Sequence, residues 1–187
     1  RVYVNGLDEE RNFKISTDLN KLIFQNIFFF DKKIFTKILE KNNLIHSFNI
    51  KKIYPDSIEI NIKKTEFLGI TYNKEEKFFI GSNGKLIKFE SNNQNIPIVD
   101  GEFKIKNFIS FKKIIDESKL DFQEISKIHF FPSGRWDIKL KNEILIKLPD
   151  HNLLEALNLG IKILDIEKFK KNSVIDLRIT NHVITKK

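Results

Sequence analysis

The sequence contains no cysteine and no methionine in 187 residues, and only seven glycines and four prolines. The absence of cysteine excludes disulfide bonds, thiol nucleophiles and thiolate metal sites. No apolar run approaches the ~20 residues that a membrane-spanning helix needs, because the longest one, residues 22–30, is interrupted by Gln25 and Asn26. The chain begins at Arg1 and has a strand pattern from Val2 onward, so we expect a signal or anchor segment upstream.

The abundant residues indicate a folded protein with a lysine-rich, solvated surface. Hydrophobic residues make up 41% of the chain and include 18 phenylalanines, which is typical of a globular core. The net charge of +8 suggests nucleic acid, but only four of the 33 basic residues are arginine, which phosphate and base recognition favour. Because the lysines alternate with apolar and acidic residues, we expect no nucleic-acid partner. Attraction to anionic lipids stays open if the protein lies near a membrane.

The first 66 residues have the pattern of a small two-layer α/β unit. Asp31 is the predicted N-cap of an amphipathic helix, and Ser16-Thr17-Asp18 predict the start of a shorter one. Pro55-Asp56 predicts the turn of a hairpin. In chain order we predict a strand at 2–7, helices at 19–25 and 32–41, and strands at 48–54 and 57–63. Two helices that cover one face of a small sheet form a two-layer unit.

From residue 67 onward the pattern changes to short strands, turns and two further helices. Gly81-Ser82-Asn83-Gly84 predicts a hairpin turn, and Pro149-Asp150 predicts the start of a helix. The predicted strands are 67–72, 77–80, 85–89, 125–131, 136–140, 144–148, 173–177 and 179–185, and the predicted helices are 108–117 and 151–164. We therefore predict an α+β protein with two domains, 1–66 and 67–187, the second mostly antiparallel β with flanking helices.

No pattern of residues indicates catalysis, metal binding or cofactor binding. The four histidines are too far apart in sequence for zinc or facial-triad spacing, and no phosphate loop, nucleophile elbow or dinucleotide fingerprint occurs. We therefore expect no enzymatic activity, no metal and no cofactor. Asp176 lies in the middle of a predicted strand, where a charge is costly unless it is paired. We expect its carboxylate to bond backbone amides or a basic neighbour.

Trp136, the lone tryptophan, has two interpretations. A tryptophan at the start of a strand is most often a core residue. Its neighbour Arg135 favours an interface anchor instead, because arginine and tryptophan are enriched in binding hot spots. Both interpretations remain open at the level of sequence.

Five segments, in order and covering nearly the whole chain, resemble those of one family, the FtsQ/DivIB division proteins. The segments are IKKIYPDSIEI at 50–60, FIGSNGKLI at 79–87, IPIVDG at 96–101, RWDIKL with its continuation at 135–148, and VIDLR at 174–178. The alphaproteobacterial branch is the most similar. The chain departs from the family where Glu and Pro often stand after the first domain, with Lys64 and Phe67 in those places.

The resemblance implies a POTRA domain of order β-α-α-β-β, followed by a β domain that carries the main binding surface. It implies a non-enzymatic scaffold at the division septum, held in the inner membrane by one upstream helix in type II topology, with this region in the periplasm. Such a scaffold links early and late division proteins and helps to control septal peptidoglycan synthesis. The POTRA domain is a further place where division proteins could bind.

The resemblance also implies a partner and a site. In the family, the last strand of the β domain is an exposed edge that receives a strand of FtsB, which is bound to FtsL; this is β-augmentation. Arginines flank that edge and pair with acidic groups. The matching partner-binding residues here are Arg135, Trp136, Asp176, Arg178, Ile179, Thr180, Asn181, His182, Val183, Ile184 and Thr185. The alternative function is that of a POTRA-type chaperone or assembly module for outer-membrane or secreted proteins.

Overall fold

A computed structural model describes residues 1–22, 31–88, 95–166, 169, 171–179 and 182–186. The chain divides into two compact units. The first unit comprises Arg1–Glu66 with Gly81–Ile87, and the second comprises Phe67–Ile80 with Lys88–Lys187. The predicted domain bounds, 1–66 and 67–187, stay a prediction.

The first unit has the predicted strand–helix–helix–strand–strand order. Its elements are β1 (Val2–Asn5), α1 (Glu9–Asn20), α2 (Lys32–Glu40), β2 (Ile45–Ile53) and β3 (Ser57–Lys64). The sheet order is β1-β3-β2, with β1 parallel and β2 antiparallel to β3. The clean alternation along β3 places Ile58, Ile60 and Ile62 in the core, where they pack with Leu19 of α1 and with α2.

Local hydrogen bonds explain where α2 begins and why the predicted start of α1 is wrong. Asp31 caps α2 as predicted, and its carboxylate accepts from the Lys33 amide at 2.8 Å. The prediction that a helix begins at residue 19 is wrong, because Asp8 caps a helix that already ends at Asn20. Ser16, one of the polar residues taken for a cap, bonds strand β1 instead: its hydroxyl donates to the Val2 carbonyl at 2.6 Å. Residues 23–25 of that prediction lie outside the described residues.

The predicted turn at Gly81–Gly84 belongs to the first unit, where it is held by side chains. The Asn83 side-chain amide donates to the carbonyls of Asn43 and Ile45 at 2.8 and 2.9 Å. Lys85 bonds the Glu40 carbonyl at the end of α2. The turn leads into the two-residue strand β6 (Leu86–Ile87). A segment that looks in sequence like a simple hairpin turn is therefore a structural part of the first unit.

The second unit is built on a large sheet. Its remaining elements are β4 (Phe67–Asn73), β5 (Glu76–Gly81), β7 (Ile98–Gly101), α3 (Ile105–Glu117), β8 (Ile125–Phe130), β9 (Trp136–Leu140), β10 (Leu145–Lys147), α4 (Leu153–Ile166), β11 (Val174–Asp176) and β12 (Ile184–Lys186). Its strands follow the order β12-β11-β10-β9-β8-β7-β4-β5. Helix α3 begins three residues before its predicted start.

Among the described strands of this sheet, antiparallel neighbours outnumber parallel ones, and helices make two of the three parallel connections. β8–β9, β9–β10 and β11–β12 are antiparallel. Lys74 and Glu75 join β4 to β5 with φ of 47° and 68°, the two-residue geometry of an antiparallel hairpin. β4–β7, β7–β8 and β10–β11 are parallel. The crossovers of the last two pairs contain α3 and α4, since parallel neighbours need a long connection. The predicted α+β class, with a mostly antiparallel sheet and flanking helices, is confirmed.

Both helices cover the same face of this sheet. Trp136 stacks on Phe111 of α3, and Gly160 of α4 lies against Ile146 and Leu177. Trp136 and Ile146 are on one face, because Ile146 is opposite Ile138 across β9 and β10. In the described part of the chain, no helix is long and apolar enough to cross a membrane.

Candidate partner-binding site at the edge of the second sheet

A row of charged residues crosses the face of the second sheet that lies opposite α3 and α4. The register places its members directly opposite one another on β7 to β11, and we call them the charged row: Asp100, His129, Asp137, Lys147 and Asp176. Ile184 of β12 continues the row. Because side chains alternate between the faces of a strand, residues dispersed over 77 positions of sequence meet on one surface.

The predicted pairing of Asp176 with a basic neighbour is present. Arg178 Nε lies 2.8 and 3.0 Å from the two carboxylate oxygens of Asp176, and Nη2 lies 2.5 Å from Oδ2. This forked arrangement is the strong geometry of an arginine–carboxylate pair. The hydrogen bonds from Arg178 hold the pKa of Asp176 below its usual value, and those to Asp176 raise the pKa of Arg178.

Arg135 and Asp137 form a looser pair on β9. Arg135 Nε is 3.6 Å from Asp137 Oδ1, too long for a hydrogen bond. Both atoms are buried without a hydrogen-bond partner among the described residues. Asp137 is only 5% exposed, and burial raises its pKa, although Arg135, Lys147 and Arg178 oppose that shift. Unlike Asp176, Asp137 is a desolvated carboxylate with unused hydrogen-bonding capacity.

A tight turn places the Arg135 guanidinium. The Phe131 amide donates to the Arg135 carbonyl at 3.0 Å, and the Gly134 amide donates to the Phe131 carbonyl at 2.9 Å. Pro132 and Gly134 suit this turn, because proline presets φ at its second position and Gly134 has φ +88°. The Arg135 guanidinium carbon lies 4.0 Å from the centre of the Phe131 ring, a cation–π distance. The turn between β8 and β9 thus places Arg135 beside the charged row.

Trp136 is a core residue, so its assignment to partner binding is wrong. It is 3% exposed and contacts the rings of Phe111, Phe130 and Phe108. Arg135 and Asp137 point to the opposite face because neighbours in a strand alternate. A buried indole offers no contact area to a partner. The core interpretation is the correct one.

The edge strand is shorter than predicted. β12 spans Ile184–Lys186 and pairs antiparallel with β11, and it is the last strand on its side of the sheet. All three of its residues are exposed, Ile184 by 55%. Ile179, His182 and Val183 precede the strand and are not in it, and the His182 amide donates to the Ile179 carbonyl at 3.1 Å. Thr180 and Asn181 lie outside the described residues.

A small groove lies between the start of α4 and the residues that follow β11, and it was missed in sequence. It has a volume of about 100 Å³ and is lined partly by Pro149, Ala156, Leu159, Leu177 and Ile179. Leu159 and Ile179 are 41% and 57% exposed. The signal that could have indicated it is the apolar stripe of α4, which is wider than the sheet can cover.

The site brings no metal-binding group together in the ranges that the structure describes. No group of three histidine, aspartate or glutamate side chains there could hold a metal ion. The side chains that come nearest to such a group are His129 and Asp100, with 2.5 Å between His129 Nδ1 and Asp100 Oδ1. Asp100 Oδ2 also lies 2.6 Å from Lys127 Nζ. They are a hydrogen-bonded histidine–aspartate contact and a lysine–aspartate ion pair on the surface of the sheet.

The geometry defines a two-unit α+β protein whose larger sheet ends in an exposed edge strand beside two arginine–aspartate pairs. A family profile described as "Cell division protein FtsQ/DivIB, C-terminal" matches residues 70–178, more than half of the chain. The chain belongs to this family, as its sequence segments predict.

Several curated relatives are cell division proteins. The chain is 27% identical over 145 residues to "Cell division protein FtsQ" of Rhizobium radiobacter, covering 73% of this chain and 67% of that protein. It is also 27% identical over 145 residues to the FtsQ of Agrobacterium fabrum, covering 73% of this chain but only 44% of that protein. A solved structure of the major extracytoplasmic domain of DivIB from Geobacillus stearothermophilus aligns with a TM-score of 0.40 and 14% identity, over 57% of this chain and 99% of that one.

Proposed function

We propose that this chain is the extracytoplasmic part of a single-pass, type II inner-membrane protein that acts at the division septum as a non-enzymatic scaffold. Membership of the family supports a role in cell division. In this proposal the chain binds FtsB together with FtsL, links early and late division proteins and helps to control septal peptidoglycan synthesis. The binding surface is the β12 edge with the residues beside it.

The observation that carries the proposal is the exposed edge strand. β12 pairs with β11 on one side, and no other strand of the described residues pairs with its outer side. Its outward N–H and C=O groups therefore form a template for another strand. A partner strand would gain backbone hydrogen bonds along the edge, and its alternate side chains would meet Ile184 and the charged row. The nearby groove suits one apolar side chain of the partner.

The charges near the edge favour an acidic partner. Lys147 lies opposite both Asp137 and Asp176 across its two neighbouring strands, and Arg135 and Arg178 each lie two positions from one of those aspartates. Three cations thus surround two carboxylates, one of which is a desolvated group with a raised pKa. The excess positive charge attracts carboxylates, and the attraction weakens as salt screens it.

Proline substitutions in β12 test the edge. Successive N–H groups along a strand point alternately to its two sides. Of Ile184→Pro and Thr185→Pro, one therefore removes an N–H that bonds β11 and the other an N–H that points outward. We expect the outward one to lower the affinity for the extracytoplasmic segment of the organism's own FtsB by about tenfold or more, measured by calorimetry.

Two controls keep this test specific. Far-UV circular dichroism and the thermal midpoint should be unchanged in the variant that lacks the outward N–H, since that group has no partner within the chain's described residues. Thr185→Ser keeps the backbone and should bind nearly as the wild type does. Wild-type affinity in both proline variants would show that the partner does not bind at β12.

A further inference from the structure

The tip of the β2–β3 hairpin in the first unit has an unusual surface. Six consecutive residues, 51–56, are all exposed, and two of them are apolar: Ile53 is 41% and Tyr54 is 65% exposed. Lys51 and Lys52 precede them directly. An exposed aromatic and aliphatic pair next to lysines is the composition of a segment that sits at a membrane–water interface, where the rings enter the headgroup layer and the cations meet anionic lipid.

The hairpin tips of the second sheet differ from this one in the ranges that the structure describes. At the β8–β9 tip, residues 131–135, the aromatic Phe131 is half-buried and is covered by the Arg135 guanidinium. The β4–β5 tip consists of Lys74, Glu75 and Glu76, and the β9–β10 tip of residues 141–143, Lys-Asn-Glu. Both are entirely polar, as is usual for turns. Apolar side chains that are exposed at a hairpin tip gain no free energy from burial. The composition of the β2–β3 tip therefore indicates a site that binds another surface.

The position of Arg1 points to what that surface is. The Ile58 amide donates to the Arg1 carbonyl at 2.7 Å, and the Arg1 nitrogen lies 2.6 Å from the Asp56 carbonyl. Arg1 therefore lies at the hairpin tip, because β1 runs parallel to β3 and both begin at the same end of the sheet. Any chain that precedes Arg1 enters the first unit at this end.

We infer that the β2–β3 tip, formed by Lys51, Lys52, Ile53 and Tyr54, rests on the surface of the anionic bilayer. The inference rests on the proposed function in one respect, namely that a membrane helix precedes Arg1. Tyr3 extends the apolar area: it is 49% exposed and lies opposite Glu59, which lies opposite Lys51. Asp56 and Glu59 are the acidic groups at this end, and Arg1 adds a third cation to the two lysines.

Vesicle flotation tests the inference without any division partner. We expect the chain to float with phosphatidylglycerol vesicles at low salt and not with phosphatidylcholine vesicles. Each lysine near an anionic surface strengthens binding by about fivefold, so Lys51→Gln with Lys52→Gln should weaken it by about 25-fold. Ile53→Ser with Tyr54→Ser should weaken it as well, at unchanged net charge. The matched control, Lys104→Gln with Lys106→Gln, removes the same charge from exposed positions in the second unit and should float as the wild type does.

A fluorophore then locates the contact. Because the chain has no cysteine, Tyr54→Cys can carry a single environment-sensitive dye. Its emission should shift to the blue on phosphatidylglycerol vesicles, while dyes at Phe13→Cys and Tyr72→Cys, which replace aromatics 75% and 56% exposed, should not respond. Equal flotation of the tip variants and the control, failure of the wild type to float, or an equal response at all three dyes would overturn the inference. A chain that floats as expected but does not bind FtsB would disprove the proposed function alone.

Discussion

The indole of Trp136 lies parallel to the ring of Phe111, with 4.8 Å between the ring centroids and 3° between their planes. This contact joins the first residue of β9 to the middle of α3 and fixes the helix on one face of the second sheet. Arg135, one residue earlier, is directed to the other face by the alternation of the strand. Of these two neighbours in sequence, Trp136 therefore belongs to the core and Arg135 to the candidate site.

Substitutions at these two positions should separate stability from binding. Trp136→Ala should lower the free energy of unfolding by about 3–5 kcal/mol, since it removes a buried aromatic side chain. Arg135→Gln should change it far less and weaken FtsB binding instead. Urea unfolding and calorimetry measure the two effects. Trp136→Phe that keeps the fold but loses the partner would contradict the assignment of Trp136 to the core.

Asp137 and Asp176, two of the three aspartates in the charged row, should affect the pH dependence of stability in opposite directions. The pKa of Asp176 is lowered in the folded state, so its contribution is present above its usual pKa of about 3.9 and is lost as pH falls through the lowered value. The pKa of Asp137 is raised, so stability is lost as pH rises from about 3.9 through the raised value.

Asp176→Asn and Asp137→Asn are a matched pair for this comparison. At pH 7 the first should lower the free energy of unfolding, and the second should leave it unchanged or raise it. At pH 2–3, where the unfolded carboxylates are protonated, the effect of Asp137→Asn should disappear. Chemical unfolding at several pH values measures both curves. A loss of stability at pH 7 in Asp137→Asn, like the loss expected in Asp176→Asn, would show that Asp137 is not penalised by burial.

The Gly81–Ile87 segment should contribute to the stability of the first unit through Asn83. Asn83→Ala removes the donors to two carbonyls, so we expect a loss of about 1–3 kcal/mol. Asn83→Asp keeps the size and places acceptor oxygens against those carbonyls, so its loss should be at least as large. Hydrogen exchange in β2 is the direct readout, because Ile45 lies there. Unchanged exchange in both variants would rule out a structural role for this segment.

Local interactions were predictable, and interactions between distant residues were not. The Asp31 cap and the alternation of Ile58, Ile60 and Ile62 depend on neighbours within a few positions, and both predictions are confirmed. Helix α1 was misplaced because Ser16 looks like part of a cap in sequence but lies within the helix and bonds β1. The predicted last strand was too long, because the extent of β12 depends on which residues pair with the short strand β11.

The sequence by itself determined the order of elements, the family and the pairing of Asp176, since alternation, caps, turns and the cost of an unpaired charge are expressed in residues close together in the chain. Only the tertiary structure decided that Trp136 is buried, that Gly81–Ile87 belongs to the first unit, and that Asp137 and Lys147 meet beside the edge. The physical reason is that hydrogen-bond register brings strands from distant positions side by side, and burial, which sets both contact area and the charge state of a carboxylate, exists only after they pack.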